Sequence, residues 1–228
     1  MDIGIVRSTS MVALVGGGRS DKSELEPLLM TASHLVAADG GADRLFDWGI
    51  QPDAVIGDLD SASPTVLAAL PAGCVHHIAE QDSTDFDKCL RNIVAPMVVG
   101  VGFLGGRVDH ELAVLNVLVR HGHRRCVLVG QDDVIAHIPP ALDLPLPEGA
   151  RVSLFPLLPV QGQSTGLRWP IDGLAMAPGG QTGTSNEATG HVSLRMDGPG
   201  MLVLLDSHWR DLLIDALRRA PKDWPDRR

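Results

Sequence analysis

The chain has 228 residues, a net charge of −9 and 44% hydrophobic residues. That is enough apolar content for a packed core in one large domain or two small ones, and it excludes a disordered chain. An acidic balance with no basic patch argues against a nucleic-acid partner and favours either a cationic substrate or phosphates brought in with metal ions. No apolar run reaches the roughly 18 residues of a membrane span, and residues 1–9 lack the basic start and long apolar stretch of a signal peptide. Cys74, Cys89 and Cys126 form no CxxC pair, so a cytoplasmic protein without a zinc site or disulfide framework is expected.

Residues 11–15 read as a buried strand, followed by Gly16-Gly17-Gly18 and a helix over about 21–30. The triple glycine allows backbone to approach a ligand closely. It matches neither GxGxxG nor the P-loop pattern, and a plain turn accounts for it equally well. A second strand, 34–38, ends in Asp39-Gly40-Gly41-Ala42-Asp43 and a helix to about 48. A third, 54–56, runs through Gly57 into Asp58-Leu59-Asp60-Ser61 and a helix with Pro64 in its first turn. Strands follow at 74–78, 98–104, 126–129 and 134–138. Strands alternating with helices predict a mostly parallel sheet covered on both faces, an α/β sandwich domain over 1–139.

Pro139, Pro140, Pro145 and Pro147 mark a linker or domain edge. Beyond it, 151–158, the alternating 191–196 and the apolar 201–205 predict a small all-β sandwich domain over 140–208, with Gly-, Pro-, Ser- and Thr-rich loops between. Trp209, Leu212, Leu213, Ala216 and Leu217 recur at helical spacing in a short tail, 209–228.

Four stretches could carry chemistry. In extended backbone, residues i and i+2 project to one side, so Asp58 and Asp60 could meet one hard cation at the carboxyl end of a strand, where open α/β sheets bind ligands. The alternative is an Asp-rich turn. Asp82, Asp85 and Lys88 fall at i, i+3 and i+6 on a helix to about 94, and with Asp87 the stretch holds three carboxylates and an ammonium, more than a cap requires. The alternative has Thr84 as N-cap with Asp87 three residues on, and acidic residues in the first turn suiting the helix dipole. Gly105-Gly106-Arg107-Val108-Asp109-His110 precedes a helix whose buried face is read as Leu112, Leu115 and Val119. Backbone N–H groups and a guanidinium fork there suit phosphate; alternatively Asp109 is an N-cap and Arg107 a solvated charge. His110 reads as structural. Trp169 is either a core residue or a face for a cation, and the 182–187 loop is either a hydrogen-bonding surface or a turn.

Taken in order, Gly16–Gly18, Ala38–Asp43, Gly57–Ser61, Asp82–Phe86, Gly105–His110 and Thr184–Glu187 resemble the thiamine pyrophosphokinases, over residues 11 to about 205. Each motif is weak alone; six in order are specific. The resemblance implies an N-terminal α/β domain, a C-terminal β-sandwich and a homodimer with the site at its interface. The implied reaction is ATP plus thiamine giving AMP plus thiamine diphosphate, with Mg²⁺. Asp58, Asp60 and Asp85 are the expected metal ligands, catalytic together with Arg107. Gly17, Asp39, Gly40, Gly41, Asp82, Thr84, Lys88, Arg107 and Asp109 are expected around the nucleotide. Trp169 is expected to stack on thiamine, with Ser185 and Asn186 lining that pocket. Gln81 stands where many bacterial relatives carry Lys, and the tail has no counterpart role. Two other readings are a different Mg-dependent transferase acting on a nucleotide sugar and a non-catalytic thiamine- or nucleotide-binding module.

Overall fold

A computed structural model describes residues 4–226. The chain forms two compact units: residues up to 117 with 128–131, and 118–127 with everything from 132 onward.

The first unit contains, in order, β1 (Val6–Arg7), β2 (Val12–Val15), α1 (Lys22–Leu29), β3 (His34–Ala38), α2 (Gly41–Asp47), β4 (Ala54–Gly57), α3 (Pro64–Ala69), β5 (Val75–His77), α4 (Asp85–Asn92), β6 (Ile93–Val94) and β7 (Val98–Val101). The division between the units falls within α5 (Val108–Arg120) and β8 (Cys126–Val129). Five strands pair in the order β7-β2-β3-β4-β5, all parallel. Strands β2, β4 and β7 are buried at every position. Continuous apolar runs of this kind belong to strands covered on both faces. Because the strands are parallel, their carboxyl ends share one edge, and the Gly16–Gly18, Asp39–Gly40 and Asp58–Ser61 segments emerge there together. The short parallel pair of β1 with β6 has no signal in the sequence pattern.

Two local expectations change. The α5 stripe is Val114, Val117 and Leu118, whereas Leu112 is exposed, so the buried face is rotated from the one read off the sequence. The helix also begins at Val108, which places Asp109 inside the first turn rather than at the N-cap.

The second unit contains β9 (Asp133–His137), β10 (Ala141–Leu144), β11 (Arg151–Pro156), β12 (Gly162–Leu167), β13 (Gly183–Met196), β14 (Met201–Asp206) and, after a 3-10 turn, α6 (Arg210–Arg219). Its strands are antiparallel, in the order β13-β11-β14-β9. The 14-residue β13 does two jobs. Its first half pairs with β11, Asn186 opposite Val152, and its second half pairs with both β10 and β12, Leu194 opposite Leu142 and Ser164. One strand thereby serves two layers, a device by which strands turn the corners of sandwiches.

The sequence reading missed three strand segments here: β10 inside the proline-rich stretch, β12 in a Gly/Ser/Thr-rich stretch, and the first half of β13, read as a loop. Strand preference depends on cross-strand neighbours, and the partners here are distant in sequence: β10 and β12 each pair with β13, and the first half of β13 pairs with β11. The tail packs α6 against β10 through Leu213, Ile214, Ala216 and Leu217. Arg125 secures its end, donating to the carbonyls of Arg218 and Ala220, both at 2.9 Å, and to Asp223 at 2.8 Å.

Gly41 marks the tightest approach in the first unit: a Cβ there would lie 2.1 Å from the Val15 carbonyl oxygen. Backbone cannot yield as a flexible side chain can, so Gly41→Ala is expected to cost about 3 kcal/mol, the upper part of the overpacking range. Urea denaturation measures it; a loss below about 0.5 kcal/mol, the level of an ordinary surface substitution, would mean that the two segments are not packed this closely.

Candidate functional site

The site is built where β3 and β4 end. Asp39 follows β3 and is 3% exposed, with a left-handed φ of 43°. Its carboxylate accepts the backbone N–H of Ser61 at 3.2 Å and of Ala62 at 3.0 Å, while Asp43 accepts that of Ser63 at 2.8 Å. The two aspartates of Ala38–Asp43 therefore anchor the loop that carries Asp58 and Asp60. Burial raises the Asp39 carboxyl to about 6, and the neighbouring Asp85 adds to the rise while the Ser61 and Ala62 N–H groups oppose it.

Asp58 and Asp60 do converge, but not by strand alternation. β4 ends at Gly57, and Leu59 between the aspartates is left-handed, φ 63°. The turn brings one carboxylate oxygen each of Asp39, Asp58 and Asp60 within 4.8 Å of one another. Three carboxylates at that spacing repel one another, and a cation among them would relieve it. An all-oxygen set of this kind suits Mg²⁺ or another hard divalent ion.

Asp85, expected as the third ligand, stands against Lys88. The Lys88 side chain is 1% exposed, and its ammonium donates to Asp58 Oδ2 at 2.8 Å and to Asp85 Oδ1 at 3.1 Å. Asp58 Oδ2 also accepts the Gln81 amide at 3.1 Å. Lys88 hydrogen bonding is the main cause that holds the Asp58 carboxyl below its usual value. Burial pushes the Lys88 ammonium down, and Asp58 and Asp85 more than reverse it. Gly57 makes the assembly possible, since a Cβ there would meet Asp39 Cβ at 2.8 Å and Asp85 Oδ1 at 3.0 Å. Thr84 caps α4 through Asp87 N–H, as expected. Arg91 ties Glu80, Ser83 and Asp87, bracing the turn ahead of α4.

A cleft of about 740 Å³ opens beside this cluster. Gly17, Asp39, Gly40, Thr84, Asp85, Arg107 and Asp109 line it; Gly41, Asp58, Asp60, Asp82 and Lys88 do not. Gly41 serves backbone packing, Asp82 is exposed in the turn before α4, and Lys88 lies beneath the carboxylates. Arg107 makes a two-point pair with Asp109, 3.1 and 2.6 Å, with both side chains largely exposed. Three contributors escaped the sequence reading. Arg44 donates to the Gly18 carbonyl at 3.2 Å, Phe103 packs tilted against Phe86 with centroids 4.8 Å apart, and His110, read as structural, is exposed on the cleft wall. A lone Arg, Phe or His carries no periodic signal that would have singled them out.

In the second unit Trp169 is 54% exposed, which sets aside the core reading. The Arg168 guanidinium carbon lies over the indole, 5.0 Å from its centroid, a cation–π contact within the chain. Asn186, 5% exposed, accepts Trp169 N–H at 3.2 Å and donates to Trp169 O at 2.7 Å. Ser185 is left-handed, φ 58°.

Two family models match this chain: thiamin pyrophosphokinase, catalytic domain, over residues 25–129, and thiamin pyrophosphokinase, vitamin B1 binding domain, over 137–199. Thiamine pyrophosphokinase 1 of Oryza sativa subsp. japonica is 33% identical over 195 residues, covering 70% of this chain and 74% of the relative. This chain belongs to the thiamin pyrophosphokinase family. Thiamine pyrophosphokinase 1 of Arabidopsis thaliana is 32% identical over 196 residues, 70% of this chain and 73% of the relative. In fold, the thiamin pyrophosphokinase from Candida albicans superposes with TM-score 0.75 at 16% identity, over 90% of this chain and 94% of that one. The yeast thiamin pyrophosphokinase does so with TM-score 0.74 at 19% identity, over 94% and 91%. The catalytic-domain match contains the aspartate cluster and the cleft residues other than Gly16, Gly17 and Gly18, and the vitamin B1-binding match contains Trp169, Ser185 and Asn186.

Lys88→Met removes the ammonium between two carboxylates and keeps the stem. Breaking a fully enclosed pair costs roughly 3–5 kcal/mol; with the Asp85 side chain 31% exposed, about 2 kcal/mol is expected here. Urea denaturation reads it, and adding Asp58→Asn should recover part of the loss. Equal stability of Lys88→Met and wild type would show that the pair holds nothing together.

Proposed function

We propose that this chain transfers the pyrophosphoryl group of ATP to the hydroxyl of thiamine. The hydroxyl oxygen attacks the β-phosphorus, the bond from that phosphorus to the α,β-bridging oxygen breaks, AMP leaves, and the hydroxyl proton is released. The observation that carries the reading is that both family models match one chain whose first unit sets a three-aspartate cluster beside a glycine-floored cleft, and whose second unit exposes an indole. Transfer of this kind needs alignment and charge neutralisation more than covalent help from the protein.

The residues divide the work. Asp39, Asp58 and Asp60 would hold Mg²⁺, with Asp85 the adjacent carboxylate that Lys88 neutralises. When bound, the ion neutralises phosphate charge and acts as a Lewis acid. Gly17 and Gly40 leave the cleft floor open to the nucleotide, and Arg107, released from Asp109, offers its fork to phosphate oxygens. Lys88 acts from below by fixing Asp58 and Asp85. Trp169 offers its face to the thiazolium cation or the pyrimidine, beside Ser185 and Asn186. The three cysteines, all free and buried, accord with a cytoplasmic home. Among the described residues, no helix is long and apolar enough to cross a membrane.

The deciding assay is AMP formation from ATP with and without thiamine. Thiamine-independent turnover, or none with thiamine at saturating Mg²⁺, overturns the reading. Within it, Asp58→Asn should fold and lose on the order of a hundredfold in turnover, since it removes charge from the cluster at constant size. Near-normal turnover at saturating Mg²⁺ would remove Asp58 from the site.

We further take the working form to be a homodimer in which nucleotide binds one subunit's first unit and thiamine the partner's second. The segregation of the two residue sets into separate units supports this. In a two-fold dimer, Asp58→Asn and Trp169→Ala would then complement. Mixed dimers carry one intact site and form about half of a random mixture, so activity should return to roughly a quarter of wild type. A coexpressed mixture no more active than its separate parts, with mixed dimers present by mass, would place each site within one chain.

A further inference from the structure

Ser185 sits in a left-handed conformation that non-glycine residues rarely adopt, φ 58°. Such a residue persists only where its surroundings over-determine it, and such places cluster at binding sites. The surroundings here are a register slip. β11 and β13 pair Arg151 with Glu187 and Val152 with Asn186, but Leu154 pairs with Gly183. Thr184 and Ser185 therefore face Ser153 alone, two residues against one, which is a β-bulge. A bulge leaves an N–H outside the ladder, free for another acceptor. That of Ser185 donates to Ser153 Oγ at 2.9 Å. Ser153 is itself 6% exposed, a buried hydroxyl between Val152 and Leu154 of β11.

The bulge determines where the next residue points. Asn186 follows directly, and its amide takes both backbone polar groups of Trp169. The chain of dependence runs from the Ser153 hydroxyl to the Ser185 backbone, to the Asn186 amide, to the exposed Trp169 indole.

We propose that Ser153 is a positioning residue for thiamine: its hydroxyl pins the bulge that aims Asn186 and Trp169, without touching the substrate itself. This rests on the reading of Trp169, Ser185 and Asn186 as the thiamine side.

The test compares Ser153→Ala, Ser153→Thr and Trp169→Ala in the full-length enzyme. Thiamine KM, ATP KM, kcat and melting temperature are measured for each. Ser153→Ala should raise thiamine KM about tenfold, the equivalent of one hydrogen bond, with ATP KM and kcat at saturating thiamine unchanged. Ser153→Thr keeps the hydroxyl and should return thiamine KM to near wild type. A Ser153→Ala enzyme with lowered melting temperature but unchanged thiamine KM overturns the inference, as does an equal rise in both KM values. Should Ser153→Ala not fold, Ser153→Cys, nearly isosteric with a weaker acceptor, must show the same selective rise; an unchanged thiamine KM there overturns the inference. Unchanged thiamine KM in Trp169→Ala strikes at the thiamine-side reading itself, and the inference falls with it. A rise in Trp169→Ala without one in Ser153→Ala leaves that reading standing and rejects Ser153 alone.

Discussion

A lysine ammonium with 1% side-chain exposure is held between two aspartates, and the first unit's functional edge depends on that arrangement. Removing an ammonium from water costs several kcal/mol unless charge and hydrogen bonds replace the lost hydration. Lys88 recovers them from Asp58 and Asp85, which tie α4 to the turn after β4. The same contact keeps Asp58 ionised, so the cluster is oriented and charged before any ligand arrives. Lys88 answers both Asp58 and Asp85 from within the protein, and Asp58 also keeps a carboxylate oxygen within 4.8 Å of one each from Asp39 and Asp60.

Backbone strain follows the same geography. The non-glycine residues with left-handed backbone among those described are Asp39, Leu59 and Ser185. Asp39 anchors the loop of the aspartate cluster, Leu59 turns Asp58 and Asp60 toward it, and Ser185 forms the bulge beneath Trp169. Two of them are held by groups far away in the chain: the Asp39 carboxylate by Ser61 and Ala62, the Ser185 N–H by Ser153. Glycine at these positions would relax the backbone but, at Asp39, would forfeit the side chain. The fold accepts local strain where a particular side chain must stand on a particular turn.

In the proposed reaction the two units would contribute different physics. The first would offer carboxylate oxygens to a hard cation, a cleft floored by glycine backbone, and a guanidinium fork that Asp109 holds here. The second would offer the exposed Trp169 indole, over which Arg168 lies. A net charge of −9 favours the approach of a cationic substrate and would call for metal to bring in a triphosphate.

The sequence by itself determined what local periodicity and motif chemistry can report. Buried apolar runs at 11–15, 34–38 and 54–56 specify parallel strands, because a strand covered on both faces must be apolar throughout. Six short motifs in order specify the family. Residue type alone also marked Asp58, Asp60 and Trp169 as places where charge or a ring needs a reason. What only the tertiary structure decided are relations between distant residues. Lys88 reads from sequence as a phosphate ligand because nothing local shows that Asp58, 30 residues away, will enclose it. Residues 184–187 read as a loop because their strand character comes from β11, whose Ser153 lies 32 residues before Ser185. The convergence of Asp58 and Asp60 comes from a left-handed Leu59 that no propensity favours. In each case the deciding energy is a contact made across the fold, and a periodic pattern holds no record of its partner.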